Sequence, residues 1–261
     1  MHNEVGSKRL ADFDLKGRVF LVTGGASGIV YTLDRAPKPS DHWEEAKRRV
    51  KPEWGGELHY ARVDVSKTQE MTQLINDIAE SNQRLDGLMA AAAIQQVTPA
   101  IDYEPEDLMQ MMAVNYNGVF MAAQATAKQM MRFKCHGSIC IVASMSGIVA
   151  NKGLLSPVYN SSKAALIQLA RNLAMEWSPI KEDGTGGIRV NCLSPGHTLT
   201  PMVEKNLRDQ PGTKEKWESE NMMGRLASPE EFKGAGLFLL SRASSFMTGN
   251  NLVIDGGHTG W

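Results

Sequence analysis

The alternation of short apolar runs with longer amphipathic stretches predicts an α/β domain built on a parallel sheet. Two observations carry this. Runs such as RVFLVT (residues 18–23) and SICIVA (residues 138–143) are apolar at consecutive positions, as strands between two helix layers must be, because neither face meets water. Between such runs lie segments with the 3.6-residue period, so strand and helix take turns along the chain. The length of 261 residues fits one such domain.

Seven strands are expected, at residues 18–23, 30–34, 58–64, 87–92, 138–143, 189–193 and 251–254. Helices follow most of them. Residues 68–82 place Met71, Leu74, Ile75 and Ile78 on one face. Pro105 suits a first helical turn, with Glu106 and Asp107 placed to favour the helix dipole. That helix turns Leu108, Met111 and Met112 inward, and a longer helix continues to about Phe133. Residues 156–177 and 229–240 complete the set, the latter with Ser228 as an N-cap candidate. The Gly-rich polar stretch 181–187 reads as a turn. No repeat or second domain is marked. Residues 1–13 read as an N-terminal tail within a single domain spanning 1–261.

Composition narrows function. A hydrophobic content of 42% and a net charge of −1 suit a globular protein with a full core and give no reason to expect nucleic acid or an anionic membrane as partner. Cys135, Cys140 and Cys192 form no metal-ligand spacing, so no metal is expected and reduced, structural thiols are. With no signal-peptide pattern and no run of about 18 apolar residues, the expected compartment is the cytoplasm.

Two segments carry chemistry. After the first strand comes Thr23-Gly24-Gly25-Ala26-Ser27-Gly28-Ile29, a glycine-rich turn whose backbone N–H groups can approach a pyrophosphate. Further on, Tyr159-Asn160-Ser161-Ser162-Lys163 puts Tyr159 and Lys163 one helical turn apart on the same face. Ser144 and Ser146 follow the strand at 138–143, and strand C-termini line the ligand crevice of an open parallel sheet. Each segment alone is a weak signal, since glycine turns and Tyr/Lys pairs are common.

Together with Val114-Asn115-Tyr116-Asn117-Gly118, Arg189-Val190-Asn191-Cys192-Leu193-Ser194-Pro195-Gly196 and Asp255-Gly256-Gly257, these segments resemble the short-chain dehydrogenase/reductase family from about Asp14 to Trp261. The phrases ASMSGIVANKG, LARNLAMEW and SSFMTG are similar to fungal members acting on polyols and ketoses of the arabinitol, mannitol and sorbose type. The resemblance implies a Rossmann-like doubly wound parallel sheet and an oxidoreductase acting on a carbonyl or secondary alcohol, either a polyol/ketose pair or a secondary-metabolite ketone. It implies Tyr159 as general acid/base, Lys163 lowering the Tyr159 pKa and holding the nicotinamide ribose, Ser144 donating to the substrate oxygen, and Asn115 fixing a water behind Lys163. Ser146 is second choice to Ser144, with helix capping as its expected task. For the cofactor it implies Thr23, Gly24, Ser27, Gly28, Ile29, Asp34, Asp64, Val65, Ala90, Pro195, Gly196, Thr198 and Thr200, beside Asn115, Tyr159 and Lys163. Asp34 at a strand end favours NAD(H), through the ribose 2′-OH, and adjacent Arg35 leaves NADP(H) open. The family usually has asparagine at Ala90 and glycine at Ala93. Residues 197–223 would cover the substrate as a lid, and a homodimer or homotetramer would form through the helices carrying Asn115 and Tyr159.

One departure stands against this. Ile29 is followed at once by Val30-Tyr31-Thr32-Leu33-Asp34, which already reads as the second strand. Roughly fifteen residues of the family pattern are absent, the first crossover helix among them, whereas parallel neighbours need about a dozen residues to connect. Six residues reach about 20 Å when extended, against roughly 17 Å for a five-residue strand, so a parallel return is only just within reach. It would leave one sheet face open, exposing four or five apolar side chains at a cost on the order of 6–15 kcal/mol. A hairpin instead would invert the second strand and carry Asp34 to the wrong end. A second functional class therefore stands beside the first: a catalytically impaired or non-catalytic relative with a scaffold or regulatory role.

Overall fold

A computed structural model describes residues 11–23, 29–50 and 56–261. All seven expected strands form: β1 (Val19–Thr23), β2 (Ile29–Asp34), β3 (Glu57–Arg62), β4 (Gly87–Ala90), β5 (Ser138–Val142), β6 (Arg189–Pro195) and β7 (Asn251–Ile254). They make one sheet in the order β3-β2-β1-β4-β5-β6-β7. Every neighbouring pair is parallel. The strand order reverses between β1 and β4, which opens a crevice beyond their C-terminal ends. The architecture is thus the Rossmann-like doubly wound sheet that the sequence implied.

Helices cover both faces. The helices α2 (Thr68–Asn82), α3 (Pro105–Met112), α4 (Val119–Arg132) and α5 (Pro157–Trp177) belong to one side. There Met71, Ile75, Ala122, Ala123, Leu166 and Ala170 bury against Leu21, Leu88, Ile139 and Val190 of the sheet. The expected join between α3 and α4 is a π-helical segment, Ala113–Gly118. The other side carries α1 (Asp41–Arg49) and α8 (Lys233–Leu240), the latter entered through the 3-10 turn Pro229–Phe232. Ser228 marks that entry, its backbone N–H donating to the Glu231 carboxylate at 2.9 Å. Two further helices, α6 (Pro201–Asp209) and α7 (Thr213–Ser219), fill the stretch expected to be a lid. Among the described residues no helix is long and apolar enough to cross a membrane.

The connection from β1 to β2 is five residues, Gly24 to Gly28, and lies outside the described residues. Its ends do not. Val19 pairs with Ile29 and Val22 with Thr32, so β2 runs parallel to β1 and the hairpin is not formed. The expectation of an open sheet face fails. Phe20, Val22 and Val30 are 1%, 3% and 0% exposed. Helix α1, which the sequence reading did not mark, contributes to this cover. Ser40 caps it by accepting from the Trp43 N–H at 3.3 Å. Trp43, Ala46 and Val50, at i, i+3 and i+7, pack against the same cluster as Phe20, Val22 and Val30. The Trp43 indole N–H donates to Thr32 Oγ1 at 3.1 Å, fixing the ring over β2. Leu15 and the Leu239–Leu240 end of α8 complete the cluster.

Trp43→Ala should therefore cost about 2–4 kcal/mol of folding stability in urea denaturation, because it removes an aromatic cover and leaves Thr32 without its donor. A loss below about 0.5 kcal/mol, the size of an ordinary surface substitution, would mean that α1 does not hold this face.

Candidate active site

The crevice is lined where strands end. Ser144 follows β5 and caps a short 3-10 turn, Met145–Gly147, by accepting from the Ser146 N–H at 3.1 Å. The capping task expected of Ser146 thus belongs to Ser144, while Ser146 Oγ accepts from Asn151 Nδ2 at 2.5 Å. Gly147 lets this turn press onto α5: a Cβ there would lie 2.7 Å from the Lys163 backbone carbon. The sequence reading passed over Gly147, although its place three residues after Ser144 is the available signal.

Helix α5 presents Tyr159 and Lys163 to the same region, as their spacing required. Lys163 is 2% exposed, and its Nζ donates to the Val142 carbonyl at the end of β5, at 2.8 Å. The ammonium also lies over the Tyr159 ring, 5.6 Å from its centroid. Burial pushes the Lys163 pKa down to about 8, with Cys192 pulling the other way. Burial pushes the Tyr159 phenol up, partly offset by a hydrogen bond with Ser144. This is the reverse of the expected lowering by Lys163. The ammonium is directed at the Val142 carbonyl and the ring face, and the direction of the phenol is set by burial against the Ser144 hydrogen bond.

Asn115 sits in the π-helical segment and is fully buried. Its Oδ1 accepts from the Ile94 N–H at 2.9 Å, and its Nδ2 donates to the Ile94 carbonyl at 2.9 Å and to Ser162 Oγ at 3.2 Å. Ser162 in turn donates to the Tyr159 carbonyl at 2.7 Å. One polar network thus ties the loop after β4, the π segment and α5 together. The π register re-aims a helix at functional positions in many proteins; here it turns Asn115 inward.

The remaining expected residues divide by edge. Thr23 ends β1, and its Oγ1 accepts from the N–H groups of Ala91 and Ala92 at 2.7 and 2.9 Å. Asp34 ends β2, exposed, with Oδ1 accepting from the Ala36 N–H at 2.8 Å. Asp64 and Val65 follow β3, and Ala90 ends β4. The Asp64 carboxyl is held down by hydrogen bonds from Ser66, then by Arg35 and Lys67, against the opposing effect of burial. Pro195 ends β6 and Gly196 follows, where a Cβ would meet the Asp255 backbone at 2.6 Å. Thr198 Oγ1 donates to the Gly196 carbonyl at 3.0 Å, and Thr200 caps α6. Gly24, Ser27 and Gly28 lie outside the described residues. Ile29 does not join the others: paired with Val19, it stands at the N-terminal edge of the sheet. Five residues of strand, roughly 16 Å, separate it from Asp34. It was assigned on its place after the glycines, and the shortened connection has carried that place to the other edge.

In the stretch expected to be a lid, the His197 ring stacks on Trp217 of α7 at 3.8 Å between centroids. His258 of the C-terminal segment meets His197 edge-on at 5.5 Å. Burial, then His258, pushes the His197 pKa down to about 3. Beside them is a cavity of about 60 Å³, lined also by Asn221 and Asp255.

Comparison with known proteins extends this reading. A family described as enoyl-(acyl carrier protein) reductase matches residues 29–259, starting at the first residue of β2. The chain is 34% identical to the short chain dehydrogenases/reductase notP' of Aspergillus versicolor, over 95% of this chain and 89% of that one. It is 32% identical to the ribulose-forming D-arabinitol 2-dehydrogenase of Candida albicans, over 95% of both. That alignment runs over 274 positions, more than this chain contains, so the relative carries residues absent here. Among solved structures, a gluconate 5-dehydrogenase from Burkholderia cenocepacia, crystallised with NADP and tartrate, superposes with a TM-score of 0.82 at 29% identity, over 97% of this chain and 99% of that one.

A buried lysine with a depressed pKa has a definite signature. Between about 8 and the unfolded value of 10.5, the unfolded chain binds more protons at Lys163 than the folded one, so stability from this group rises with pH across that window. Lys163→Met should lack that rise while sharing all others. Denaturation midpoints of both proteins from pH 7 to 10.5 check it, and parallel profiles would show that Lys163 keeps an ordinary pKa.

Proposed function

The chain belongs to the short-chain dehydrogenase/reductase family, and from that membership we propose that it is an NAD(P)-dependent oxidoreductase interconverting a carbonyl and a secondary alcohol, with a ketose and polyol pair as substrate. The observation that supports this best is the buried network joining Asn115 to Ile94 and to Ser162 of α5, the helix that carries Tyr159 and Lys163, with Lys163 bonded to Val142 at the end of β5 beside Ser144. A network of this kind holds its members in one geometry, which is what proton transfer needs.

The roles follow from chemistry. Ser144, its Oγ fixed by the Ser146 N–H, donates to the substrate oxygen. Tyr159 moves a proton to or from that oxygen. Its raised pKa keeps the phenol protonated through neutral pH, the form that delivers a proton to a carbonyl, whereas taking a proton from an alcohol requires the phenolate. Lys163 uses one N–H on Val142 and offers the rest to the ribose of a nicotinamide. Bound nicotinamide would supply or accept hydride. Asp34 favours NAD(H), with Arg35 admitting NADP(H). Residues 197–223, seated by the His197–Trp217 stack, form the substrate lid, and α4 and α5 are the surfaces through which copies would assemble.

The described residues suit the nicotinamide half of the cofactor, while the glycine-rich turn that would meet its pyrophosphate lies outside them. The pyrophosphate device of this fold is a helix N-terminus behind the first strand. Among the described residues no helix begins there, and five residues are too few for the crossover. Each charge-assisted bond from a backbone N–H contributes about 1.5–3 kcal/mol, so affinity for the dinucleotide is lowered. This favours a second reading, a member of the family with impaired turnover.

Tyr159→Phe tests the first reading. Turnover of ketoses should fall by about 10²–10⁴. Equal, feeble rates for both proteins would support the impaired relative.

A further inference from the structure

The segment that leaves β4 at the crevice has no regular structure over residues 91–99, yet side chains and backbone fix it at successive points. The Ile94 N–H and carbonyl both bond the buried Asn115 amide, at 2.9 Å each. Gln96 Nε2 donates to Asp107 Oδ2 of α3 at 2.6 Å. Val97 packs against the apolar cluster of Leu154, Trp217 and Leu226, and the Thr98 N–H donates to the Leu155 carbonyl, just ahead of α5, at 2.8 Å. Gln95 stands between these anchors, and its Oε1 accepts from Asn206 Nδ2 of α6 at 2.9 Å.

Helix α6, in the stretch read as the lid, has a face to match. Val203, Asn206 and Leu207 stand at i, i+3 and i+4. The two apolar members join the Leu154, Trp217 and Leu226 cluster, while Glu204, Lys205, Arg208 and Asp209 are exposed. A helix of nine residues does not hold itself together in water, so what docks it decides where it lies. No residue of α6 is buried, which leaves its apolar docking weak. Among the described residues, the bond to Gln95 is the one hydrogen bond from α6 to a part of the chain outside 197–223.

We propose that Gln95 and Asn206 are a positioning pair whose bond latches α6 over the crevice and so keeps a bound substrate in place. Asn115 fixes Ile94, and Ile94 presents Gln95, so the acceptor waits in one place and closing orders only the lid side of the bond. The inference rests on the oxidoreductase reading above and deepens it by naming what holds the lid shut.

Asn206→Ala and Gln95→Met remove the bond from either side. Alanine is the better helix former, so the first does not weaken α6 itself, and methionine keeps the length of the glutamine side chain. In the ligand-free chain each should speed hydrogen exchange at the α6 amides by about three- to tenfold, the weight of one net hydrogen bond. The double variant should exceed neither, because both remove one interaction. With NADH or NADPH and fructose, sorbose or ribulose, each should raise KM by a similar factor while kcat falls by less than about twofold. Gln95→Asn combined with Asn206→Gln keeps the combined reach and should restore both readings. Exchange unmoved by the single variants, or faster exchange with KM unmoved, overturns the latch and leaves the oxidoreductase reading standing. An unsubstituted chain that turns over none of these ketoses overturns both.

Discussion

The parallel register of β2 on β1 is the constraint from which the rest of this molecule follows. Val19 opposite Ile29 means that the chain leaves β1 at one edge of the sheet and enters β2 at the other. Five residues must cover roughly 14 Å, four residues of strand plus one interstrand step. A helix advances only about 1.5 Å per residue, so this distance and a crossover helix cannot both be satisfied. The strand order is kept, Asp34 stays at the crevice, and Ile29 is removed from it. The sheet tolerates this because α1 and α8 can reach the bared face. Trp43, pinned by Thr32, supplies area that a crossover helix would have supplied.

Much of this was legible in the residues. Strands apolar on both faces show themselves without reference to anything distant, and so did the helix of residues 68–82, whose apolar positions repeat at the helical period. Tyr159 and Lys163 were legible for the same reason, since one turn of α5 fixes their relation. Helix α1 was not. Most of its positions are charged or polar, and its burial depends on Trp43, whose partner Thr32 lies on a neighbouring strand. The π segment around Asn115 was hidden too, because its register answers a hydrogen bond to Ile94 some 20 residues away. The cost assigned to an open face was wrong for a related reason: the estimate counted what the missing helix would cover and not what its neighbours could. Direction of titration was likewise illegible at Tyr159. Proximity of an ammonium is readable from spacing, whereas desolvation depends on everything packed around the ring.

The two faces of the sheet explain why one half of the crevice survives the shortening of the other. Crossovers in a doubly wound sheet are right-handed, which sets the face on which α1, between β2 and β3, lies. That is the face of α1 and α8, whose cluster includes Phe20, Val22, Val30 and Leu58. The elements that position Asn115, Tyr159 and Lys163 pack on the opposite face, in a separate cluster with Leu88, Ile139 and Val190. Close-packed interiors transmit strain mainly through contact, and the two clusters meet only across the strands. A change confined to the first face therefore reaches the second through backbone register alone, and that register is intact from β1 to β7. Asn115, Tyr159 and Lys163 thus answer to a core separate from the cluster of Phe20, Val22 and Val30. Under the proposed reading, binding of the far half of a cofactor would answer to the end of β1, which the short connection follows. Under the proposed reading, chemistry and affinity would thus depend on different faces of one sheet, and a change could alter the second while the first keeps its geometry.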